Sequence, residues 1–182
     1  MNKFVINFVT FQVGWFSCVL GAANGYPLVG PVVVAAVLLL HFNIVDHPRR
    51  ELVLIALAGM MGAVFDTLLV RSDWLIYPNG MLIEATAPYW IVSMWLLFAS
   101  TINLSMRWMH DRFAAAVLLG AIGGPLSYLA GERLGGLVFE DRIMALIALA
   151  IGWGVVTPLL VALGQRFDGV DVQGKEVVAQ HA

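Results

Sequence analysis

The sequence is poor in charge and in cysteine, and each shortage excludes a class of protein. Charged residues make up 12% of the 182 positions, about half of the roughly 25% that is usual in soluble domains. The net charge of −2 provides no basic surface of the kind that nucleic-acid binding requires. The single cysteine, Cys18, excludes an internal disulfide and a cysteine-based metal centre, and we interpret it as a small apolar residue inside a helix.

The sequence also lacks the motifs of common catalytic centres. It contains no Gly-x-Ser-x-Gly of serine hydrolases, no phosphate-binding loop and no His-Glu-x-x-His of zinc proteases. His41 and His47 are six residues apart near a predicted helix end, a poor spacing for metal ligands. We therefore predict neither a metal nor a cofactor. The question of an enzyme stays open, but no motif is typical of one.

Apolar residues, in contrast, make up 60% of the chain and are gathered in six long runs. A membrane span needs about 20 mostly apolar residues. The runs are continuous, without the period of two that membrane strands show, and this indicates helices. We predict an all-α, polytopic transmembrane bundle of six helices. The predicted spans are Phe4–Ala23, Tyr26–Val45, Leu52–Val70, Pro88–Met106, Phe113–Gly131 and Ile143–Gln165.

The predicted spans divide the chain into a six-helix transmembrane domain (residues 1–165) and a polar cytoplasmic tail (residues 166–182). The first span has two interpretations. Lys3 and the apolar run up to Ala23 resemble a signal peptide. Asn7 and Gln12 interrupt that run, and residues 24–27 are typical of a tight turn into a second helix, so we favour an uncleaved span.

Basic residues are unevenly distributed between the two sides of the predicted bundle. With the N-terminus inside, the inner segments carry seven Lys and Arg residues and the outer loops carry three. The inner residues are Lys3, Arg49, Arg50, Arg107, Arg112, Arg166 and Lys175, and the outer ones are Arg71, Arg133 and Arg142. Because positive residues accumulate on the cytoplasmic side, we expect a multi-pass protein with both termini in the cytoplasm.

The longest predicted loop, Arg71–Ala87, joins the third and fourth spans. It contains Trp74 and Tyr77, residue types that favour the membrane interface. The segment Pro78-Asn79-Gly80 is a turn signal between two short apolar runs. The loop either lies on the outer interface as an anchor, which we favour, or folds back over the bundle as a lid.

Two pairs of similar segments suggest a doubled architecture. Leu54–Ala58 recurs as Leu146–Ala150 at an offset of 92 residues, and Gly30-Pro31 recurs as Gly124-Pro125 at an offset of 94. A repeat of three spans would be inverted in the membrane, as in many transporters. The favoured alternative is chance similarity, because Leu, Ile, Ala and Gly dominate sequences of this kind.

Ionisable side chains inside the spans are the first candidates for a functional site. A charged residue at mid-bilayer costs about 2.5–3.5 kcal/mol on insertion scales and tends to be functional. Asp66 lies near the outer end of the third span, where it either pairs with an arginine such as Arg71 or contacts a substrate or proton. Glu84 and Tyr128 are expected at the same end, and with Asp66 they form the core of the predicted substrate-binding site.

Three amide side chains complete the predicted set. Asn7 and Gln12 lie on the first span, and Asn103 lies on the fourth. Each must face protein, because lipid cannot satisfy an amide. Packing between helices is the favoured role for all three, and contact with a substrate is the alternative.

Several motifs resemble those of a known family. They are Asn7-Phe8-Val9, Gln12-x-Gly14-Trp15-Phe16, Asn103 with Trp108, and the most specific one, Gly123-Gly124-Pro125-Leu126-Ser127-Tyr128-x-Ala130-Gly131. The family consists of small bacterial inner-membrane proteins known only as a domain of unknown function, and the resemblance covers essentially the whole chain. It implies a Gram-negative inner-membrane location, no established activity and a setting near lipid-modifying enzymes such as cyclopropane fatty-acid synthase.

These observations lead to three functional hypotheses. The favoured one is a protein that binds or transports a small or lipid-like solute within the helix bundle. The alternatives are a lipid-modifying membrane enzyme or its accessory subunit, and a membrane scaffold without catalytic activity. The expected partners are membrane lipids and a small-molecule or lipid substrate, with no nucleic acid, and the oligomeric state is left open.

Overall fold

Each apolar run of the sequence forms a helix in the computed structural model, which describes residues 2–171. The helices are α1 (Lys3–Ala23), α2 (Val29–Ile44), α3 (Pro48–Arg71), α4 (Tyr89–Ala99), α5 (Phe113–Arg133) and α6 (Arg142–Arg166). The predicted all-α helical bundle is therefore confirmed. We call the end of the bundle that carries the α3–α4 connection the loop end, and the end where α1 begins and α6 finishes the terminal end.

Four of the six helices are long and apolar enough to cross a membrane by length and composition. Helices α1, α3, α5 and α6 have 21, 24, 21 and 25 residues. Helix α2 has 16 residues and α4 has 11, fewer than the roughly 17–25 that a span usually needs. The chain is thus a membrane-embedded protein with four long apolar helices, and a complete crossing by α2 and α4 stays a prediction.

The fourth predicted span, residues 88–106, differs most from the structure. Its helix ends at Ala99, and residues 100–106 form successive turns before a short 3₁₀ helix, η1 (Arg107–Met109). Ser100 and Thr101 lie at the break and favour it, because their hydroxyls bond to backbone groups and compete with continued α-helix. These hydroxyls donate to carbonyl oxygens three residues earlier, at 2.7 and 2.6 Å.

Non-helical backbone inside a membrane protein needs polar partners from neighbouring elements. Asn7 of α1, which is buried, supplies them at the break in the fourth segment. Its Nδ2 donates to the Ser100 carbonyl at 3.0 Å, and its Oδ1 accepts the Ser105 hydroxyl at 2.7 Å. Asn7 therefore joins the start of α1 to the broken end of α4.

The α3–α4 loop folds back onto the loop end of the bundle. Its strand β1 (Leu75–Ile76) pairs antiparallel with β2 (Val138–Phe139) from the α5–α6 connection. Leu75 and Tyr77 are buried, and the Asn79 side chain donates to the last turn of α1. Residues 74–80 thus pack on the bundle, as the lid alternative requires, whereas residues 81–83 stay exposed, and anchoring at the membrane interface stays a prediction.

Gly80 shows why this loop can lie so close to the helices. Its φ is +89°, a left-handed conformation that glycine adopts without strain. A Cβ at this position would lie 2.6 Å from the Trp90 ring at the start of α4. The Trp90 indole N–H in turn donates to the Asn79 carbonyl at 3.0 Å. Gly80 and the Trp90 indole therefore allow the loop to pack directly against α4.

Helix α4 lies at the centre of the packing. It contacts α1, α2 and α3, while α3 also contacts α6, and α5 packs mainly along α6. An inverted repeat would make the close contacts of α5 with α6 recur between α2 and α3. The contact between α2 and α3 is small instead. The predicted repeat thus gains no support from the packing of residues 2–171.

After α6, residues 167–171 fold back against the terminal end, and we call them the C-terminal strap. The backbone N–H groups of Asp46 and His47 both donate to the Gly169 carbonyl, at 2.9 and 2.8 Å. Arg107 makes a bidentate ion pair with Asp168, at 2.9 and 2.5 Å. The strap thus closes the bundle between the α2–α3 connection and η1.

Asp46 holds the outer edge of the C-terminal strap. It accepts the Asp171 backbone N–H at 2.9 Å and pairs with Lys3 at 3.4 Å. That backbone hydrogen bond, followed by the charge of Lys3, holds the pKa of Asp46 below its ordinary value. Asp46 is therefore ionised at neutral pH. Residues 172–182, most of the predicted polar tail, lie outside the described residues, and the division into two domains stays a prediction.

Replacing Asn7 should test the role of this side chain at the break. In Asn7→Leu the Ser100 carbonyl and the Ser105 hydroxyl lose their partner, and each unpaired buried group costs about 1–3 kcal/mol. We expect the free energy of unfolding in detergent to fall by at least that amount. Asn43→Leu, the same change at an exposed position of α2, should have little effect. Equal stability of the two variants would contradict the capping role.

Candidate functional site

Asp66 of α3 is fully buried and is the hydrogen-bonding centre of the loop end. Its Oδ1 accepts the Tyr77 hydroxyl at 2.5 Å and the Tyr128 hydroxyl at 2.7 Å. Its Oδ2 accepts the Trp95 indole N–H at 2.7 Å. The three donors belong to the α3–α4 loop, α5 and α4. A single carboxylate therefore connects four elements of the structure.

The donors of Asp66 are neutral, and within residues 2–171 no cation pairs with it. Arg71, the arginine that the sequence offered as a partner, is exposed and donates to the Ala85 carbonyl at 3.3 Å. Tyr77 lies in the loop, where burial, and then the nearby charge of Asp66, raises the pKa of its hydroxyl well above the ordinary value. Tyr77 therefore stays protonated and acts as a donor.

A glycine one turn before Asp66 brings α4 close enough for this contact. Gly62 and Asp66 are four residues apart and share a face of α3. A Cβ on Gly62 would lie 2.0 Å from the Trp95 ring. Any larger residue would push Trp95 away, and the hydrogen bond between its indole and Asp66 would lengthen or break.

The structure brings together two of the three residues at the core of the predicted site. Asp66 and Tyr128 are in direct contact, as their shared position at one end of the bundle suggested. Glu84 is exposed in the α3–α4 loop and does not join them. The reason is local, since residues 74–80 fold onto the bundle and the chain then turns outward, with Ala85 at a φ of +56°.

The three predicted amides lie elsewhere. Asn7 caps the break after α4 and contacts backbone, as described above. Gln12 is half-buried on α1, and its side chain has no hydrogen bond to residues 2–171. Asn103 is buried at the terminal end, where its Nδ2 donates to Glu51 at 2.7 Å. Packing is therefore the role that the contacts of Asn7 and Asn103 favour, and binding of a substrate by the amides stays a prediction.

Glu51 is the centre of a second buried polar cluster that the sequence did not reveal. Its Oε1 accepts Asn103 Nδ2 at 2.7 Å and the Gly169 backbone N–H at 2.9 Å. Its Oε2 lies 3.1 Å from His41 Nε2. The predicted third span began at Leu52, so Glu51 fell outside it. This cluster joins α2, α3, the break after α4 and the C-terminal strap.

A cavity of about 360 Å³ lies between α1, α4, α5 and α6, and we call it the lateral cavity. Aromatic side chains form a large part of its wall. They are Phe8, Phe11 and Trp15 of α1, Trp90, Trp95 and Phe98 of α4, Trp108 of η1, Tyr128 of α5 and Trp153 of α6. Two donors of Asp66, Trp95 and Tyr128, are among them, so the carboxylate lies directly behind the wall.

The lateral cavity is lined by α1 and α5, which do not belong to the closely packed helix pairs, and exposed residues of both helices mark a gap between them. Phe8 and Ser127, on the two rims of this gap, are exposed. A Cβ on Gly123 of α5 would meet nothing within 4 Å. The gap therefore lies on the side of the bundle and not at its loop end or terminal end.

Two tryptophans form the inner wall of the lateral cavity. The rings of Trp95 and Trp153 are stacked, with centroids 4.4 Å apart and an angle of 14° between their planes. Gly124 of α5 lies against Trp153, and a Cβ there would be 2.3 Å from the ring. The glycines of α5 therefore let this helix approach α6 closely and leave the cavity its width.

The site contains little that is suited to catalysis or to metal binding. Within residues 2–171 no group of three His, Cys, Asp or Glu side chains could hold a metal ion. Both oxygens of Asp66 already accept hydrogen bonds. Tyr128 is the one ionisable residue among those that line the cavity in the part of the chain that the structure describes. The arrangement is suited to holding an apolar molecule.

Comparison with known proteins identifies a family. The sequence model of a family described as "Protein of unknown function (DUF2878)" matches residues 4–159, nearly the whole chain. No curated protein and no solved structure matches.

Asp66→Asn tests the carboxylate at the loop end. An amide has one acceptor oxygen, and its NH₂ group would face either the Trp95 indole N–H or the two tyrosine hydroxyls. We expect the free energy of unfolding to fall by about 1–3 kcal/mol, the cost of leaving a buried polar group unpaired. Asp73→Asn is the matched control, since Asp73 is exposed in the following loop. If both variants unfold at the temperature of the parent protein, Asp66 does not hold these elements.

Glu51→Gln tests the cluster at the terminal end. The variant keeps the size of the side chain but weakens its hydrogen bonds to His41 and to the strap, which should therefore detach more often. Limited proteolysis with trypsin measures this, and we expect cleavage after Arg166 to become several times faster. Glu140→Gln, at an exposed position of the loop end, should leave the rate unchanged. An unchanged cleavage rate in Glu51→Gln would contradict the role of Glu51 in holding the C-terminal strap.

Proposed function

The chain belongs to the DUF2878 family of unknown function, and we propose that it is an inner-membrane protein that binds a lipid-like solute in the lateral cavity. Binding is the step that a carrier and an accessory protein of lipid metabolism have in common. The proposal is carried by one observation, the aromatic cavity that opens between α1 and α5.

The size and lining of the lateral cavity support this proposal. Small-molecule sites are typically pockets of about 300–1,000 Å³ that are mostly apolar with a few polar groups. The cavity has about 360 Å³ and is lined mainly by aromatic and aliphatic side chains. Its few hydroxyl groups include those of Thr157 and Tyr128. A solute of modest size, taken from the surrounding lipid, fits these properties.

Shape and polar contacts must decide which solute binds. A solute that moves from lipid into the cavity gains little from the hydrophobic effect, because lipid tails are as apolar as the cavity wall. A flexible chain also loses conformational freedom when it binds. Rigid or flat molecules are therefore favoured over free acyl chains, because they contact the stacked Trp95 and Trp153 at a smaller entropic cost.

Asp66 has the role of a positioning residue in this proposal. Trp95 and Tyr128 form parts of two cavity walls, and both donate to its carboxylate. Tyr128 is also a direct link from α5 to α3, whereas α5 otherwise packs mainly on α6. The hydrogen bonds to Asp66 thus set how far α5 stands from α4, and so the width of the cavity.

The same properties argue against the alternative of a lipid-modifying enzyme. General acid–base catalysis needs a titratable group within hydrogen-bond reach of the reacting atoms. Among the cavity-lining residues in the described part of the chain only Tyr128 is titratable, and its hydroxyl is already bound to Asp66. Binding without catalysis is the simpler role for such a site.

The proposed orientation places the terminal end in the cytoplasm. Lys3, Arg107 and Arg166 lie at this end with other basic residues, while Arg71 and Arg133 lie at the loop end. The excess of positive residues at the terminal end follows the usual rule for cytoplasmic segments. Solutes would then enter the lateral cavity from within the bilayer, below a loop end that faces the opposite side.

Gly123→Trp tests whether the lateral cavity takes up lipid. A photoactivatable diacylglycerol in nanodiscs should label the buried wall around Thr157 in the parent protein. The indole in Gly123→Trp should fill the opening and reduce that labelling about tenfold or more, which corresponds to a steric cost of about 1.4 kcal/mol or more. Mass spectrometry of peptides from α6 gives the measurement.

Two controls separate blockage from damage to α5. Gly123→Ala should keep the labelling, because its Cβ meets no atom within 4 Å. Ile122→Trp adds the same bulk at a neighbouring exposed position outside the cavity and should also keep it. If Gly123→Trp is labelled around Thr157 as strongly as the parent protein, the proposed entry between α1 and α5 is wrong.

A further inference from the structure

The wall of the lateral cavity is buried toward the loop end and exposed toward the terminal end. At the loop end, under the α3–α4 loop and the α5–α6 connection, four lining side chains are at most 7% exposed, namely Val19, Trp90, Tyr128 and Leu137. Nearer the terminal end, Phe8, Trp108 and Leu119 are 54%, 50% and 38% exposed. We call this exposed part of the wall the mouth of the cavity. A bound molecule is thus enclosed at the loop end and accessible at the mouth.

The lateral cavity has about the length of one lipid tail. On α1 its lining residues run from Phe8 to Val19, which corresponds to about 16 Å at a rise of roughly 1.5 Å per residue. On α5 they run from Leu119 to Gly131, which corresponds to about 18 Å. The hydrocarbon core of a bilayer is about 30 Å thick, so one leaflet contributes about 15 Å. A single apolar tail, extended along the bundle, therefore fits between the mouth and the loop end.

An arginine lies beside the mouth of the cavity. The Arg112 guanidinium is 5.9 Å from the centre of the Trp108 ring, and the Arg112 side chain is exposed. Within residues 2–171 no carboxylate pairs with Arg112, although Asp111 precedes it. The nearby Arg107, in contrast, is bound to Asp168. Because an arginine in a protein stays protonated, the mouth has a permanent positive charge next to the indole of Trp108.

Arg112 and Trp108 determine which head group the mouth accepts. Both side chains are hydrogen-bond donors, so they select an acceptor, and the charge of Arg112 favours an anion. No Asp or Glu is among the cavity-lining residues in the described part of the chain, so the wall does not repel an anion. A phosphate or carboxylate at the loop end would instead lie close to the carboxylate behind Tyr128, without a counter-charge. The head group therefore belongs at the mouth and the tail toward the loop end.

We propose that the solute of the lateral cavity is an anionic lipid, bound with one tail toward the loop end and with its phosphate or carboxylate beside Trp108 and Arg112. This inference rests on the proposed function, because it needs the cavity to be a binding site. It adds a direction and a charge to that function. In the orientation proposed above, the lipid comes from the cytoplasmic leaflet. The contact with Arg112 offsets part of the conformational freedom that a flexible tail loses when it binds.

Three probes with the same tail test the charge of the head group. Laurate, dodecyl phosphate and dodecanol each compete with the photoactivatable diacylglycerol for the full chain in phosphatidylcholine nanodiscs, at a pH of about 9, where both acids are ionised. Affinities refer to the mole fraction of each probe in the bilayer. The equal tails lose the same freedom, so differences report on the head group. We expect at least one anionic probe to bind about fivefold or more tightly than dodecanol, as a charge pair worth about 1 kcal/mol allows.

Substitutions of Arg112 assign this preference to one side chain. Arg112→Gln should reduce the affinity of the anionic probe to about that of dodecanol, while Arg112→Lys, which keeps the charge, should retain most of the preference. Arg49→Gln is the matched control, because Arg49 is an exposed arginine at the same end and belongs to α3, which does not line the cavity. It should leave all three affinities unchanged. Circular dichroism confirms that the variants are folded.

Photolabelling tests the direction in which the lipid binds. The preferred anionic head group is attached to a tail that carries a diazirine either next to the head group or at the far end. We expect the diazirine at the far end to label peptides around Trp90 and Tyr128, and the other to label those around Phe8 and Trp108. Mass spectrometry of the digested protein gives the labelled positions. The reverse pattern would overturn the proposed direction.

The outcomes distinguish the anionic lipid from the lipid-binding cavity. Preference for laurate or for dodecyl phosphate identifies the anionic group. If dodecanol binds as tightly as both anions, or if Arg49→Gln weakens anion binding as much as Arg112→Gln, the head-group contact is wrong, whereas the lipid-binding cavity stands. The same conclusion holds if no probe competes although Gly123→Trp reduces lipid labelling. If no probe competes and Gly123→Trp does not change lipid labelling, both proposals fail.

Discussion

A carboxylate inside an apolar helical bundle requires hydrogen-bond donors, and in this protein the donors of Asp66 determine where three other elements lie. Tyr77 draws the α3–α4 loop onto the bundle, Trp95 fixes α4, and Tyr128 ties α5 to a helix with which it otherwise has little contact. Because these donors are neutral, Asp66 is stabilised by hydrogen bonds of suitable direction and length and not by a counter-charge. A shift of any one of these elements leaves a polar atom unpaired, which makes the positions interdependent.

The lateral cavity is a consequence of this arrangement. Helix α5 approaches α6 closely through its glycines, but Asp66 holds only its loop end toward α3 and α4. Helix α1 packs on α2 and α4 and leaves a gap beside α5. The bundle thus has a gap in its side, at a level where a soluble globular protein would have a filled core. Polar clusters at both ends, around Asp66 and around Glu51, maintain the bundle despite that opening.

Long apolar runs were sufficient to predict the helices, because a membrane imposes length and helical structure on them. Hydropathy hid the break after Ala99, since Ile102 and Leu104 keep the local average apolar while Ser100 and Thr101 end the helix. Asp66 and Tyr128 were correctly assigned to one end. Glu84 was not excluded, because the sequence cannot show which part of a loop folds inward.

Other parts of the site depend on tertiary contacts that have no local signal. Trp95 and Tyr77 look like ordinary apolar or interfacial residues until their polar atoms are seen on Asp66. His41 and Glu51 are ten residues apart on different helices, and the proline turn between them brings the two together. The cavity itself results from the absence of close packing between α1 and α5, which no single segment encodes.

The C-terminal strap also has a consequence for the biogenesis of the protein. Glu51 lies in the first third of the chain, yet one of its donors is the backbone N–H of Gly169, which is synthesised 118 residues later. Until that segment leaves the ribosome, the terminal end holds an incompletely satisfied carboxylate next to His41. Insertion of the helices can proceed in order along the chain, but closure of this end must wait for the last helix. A chain truncated before Gly169 would thus have an incompletely bonded Glu51, far from the point of truncation.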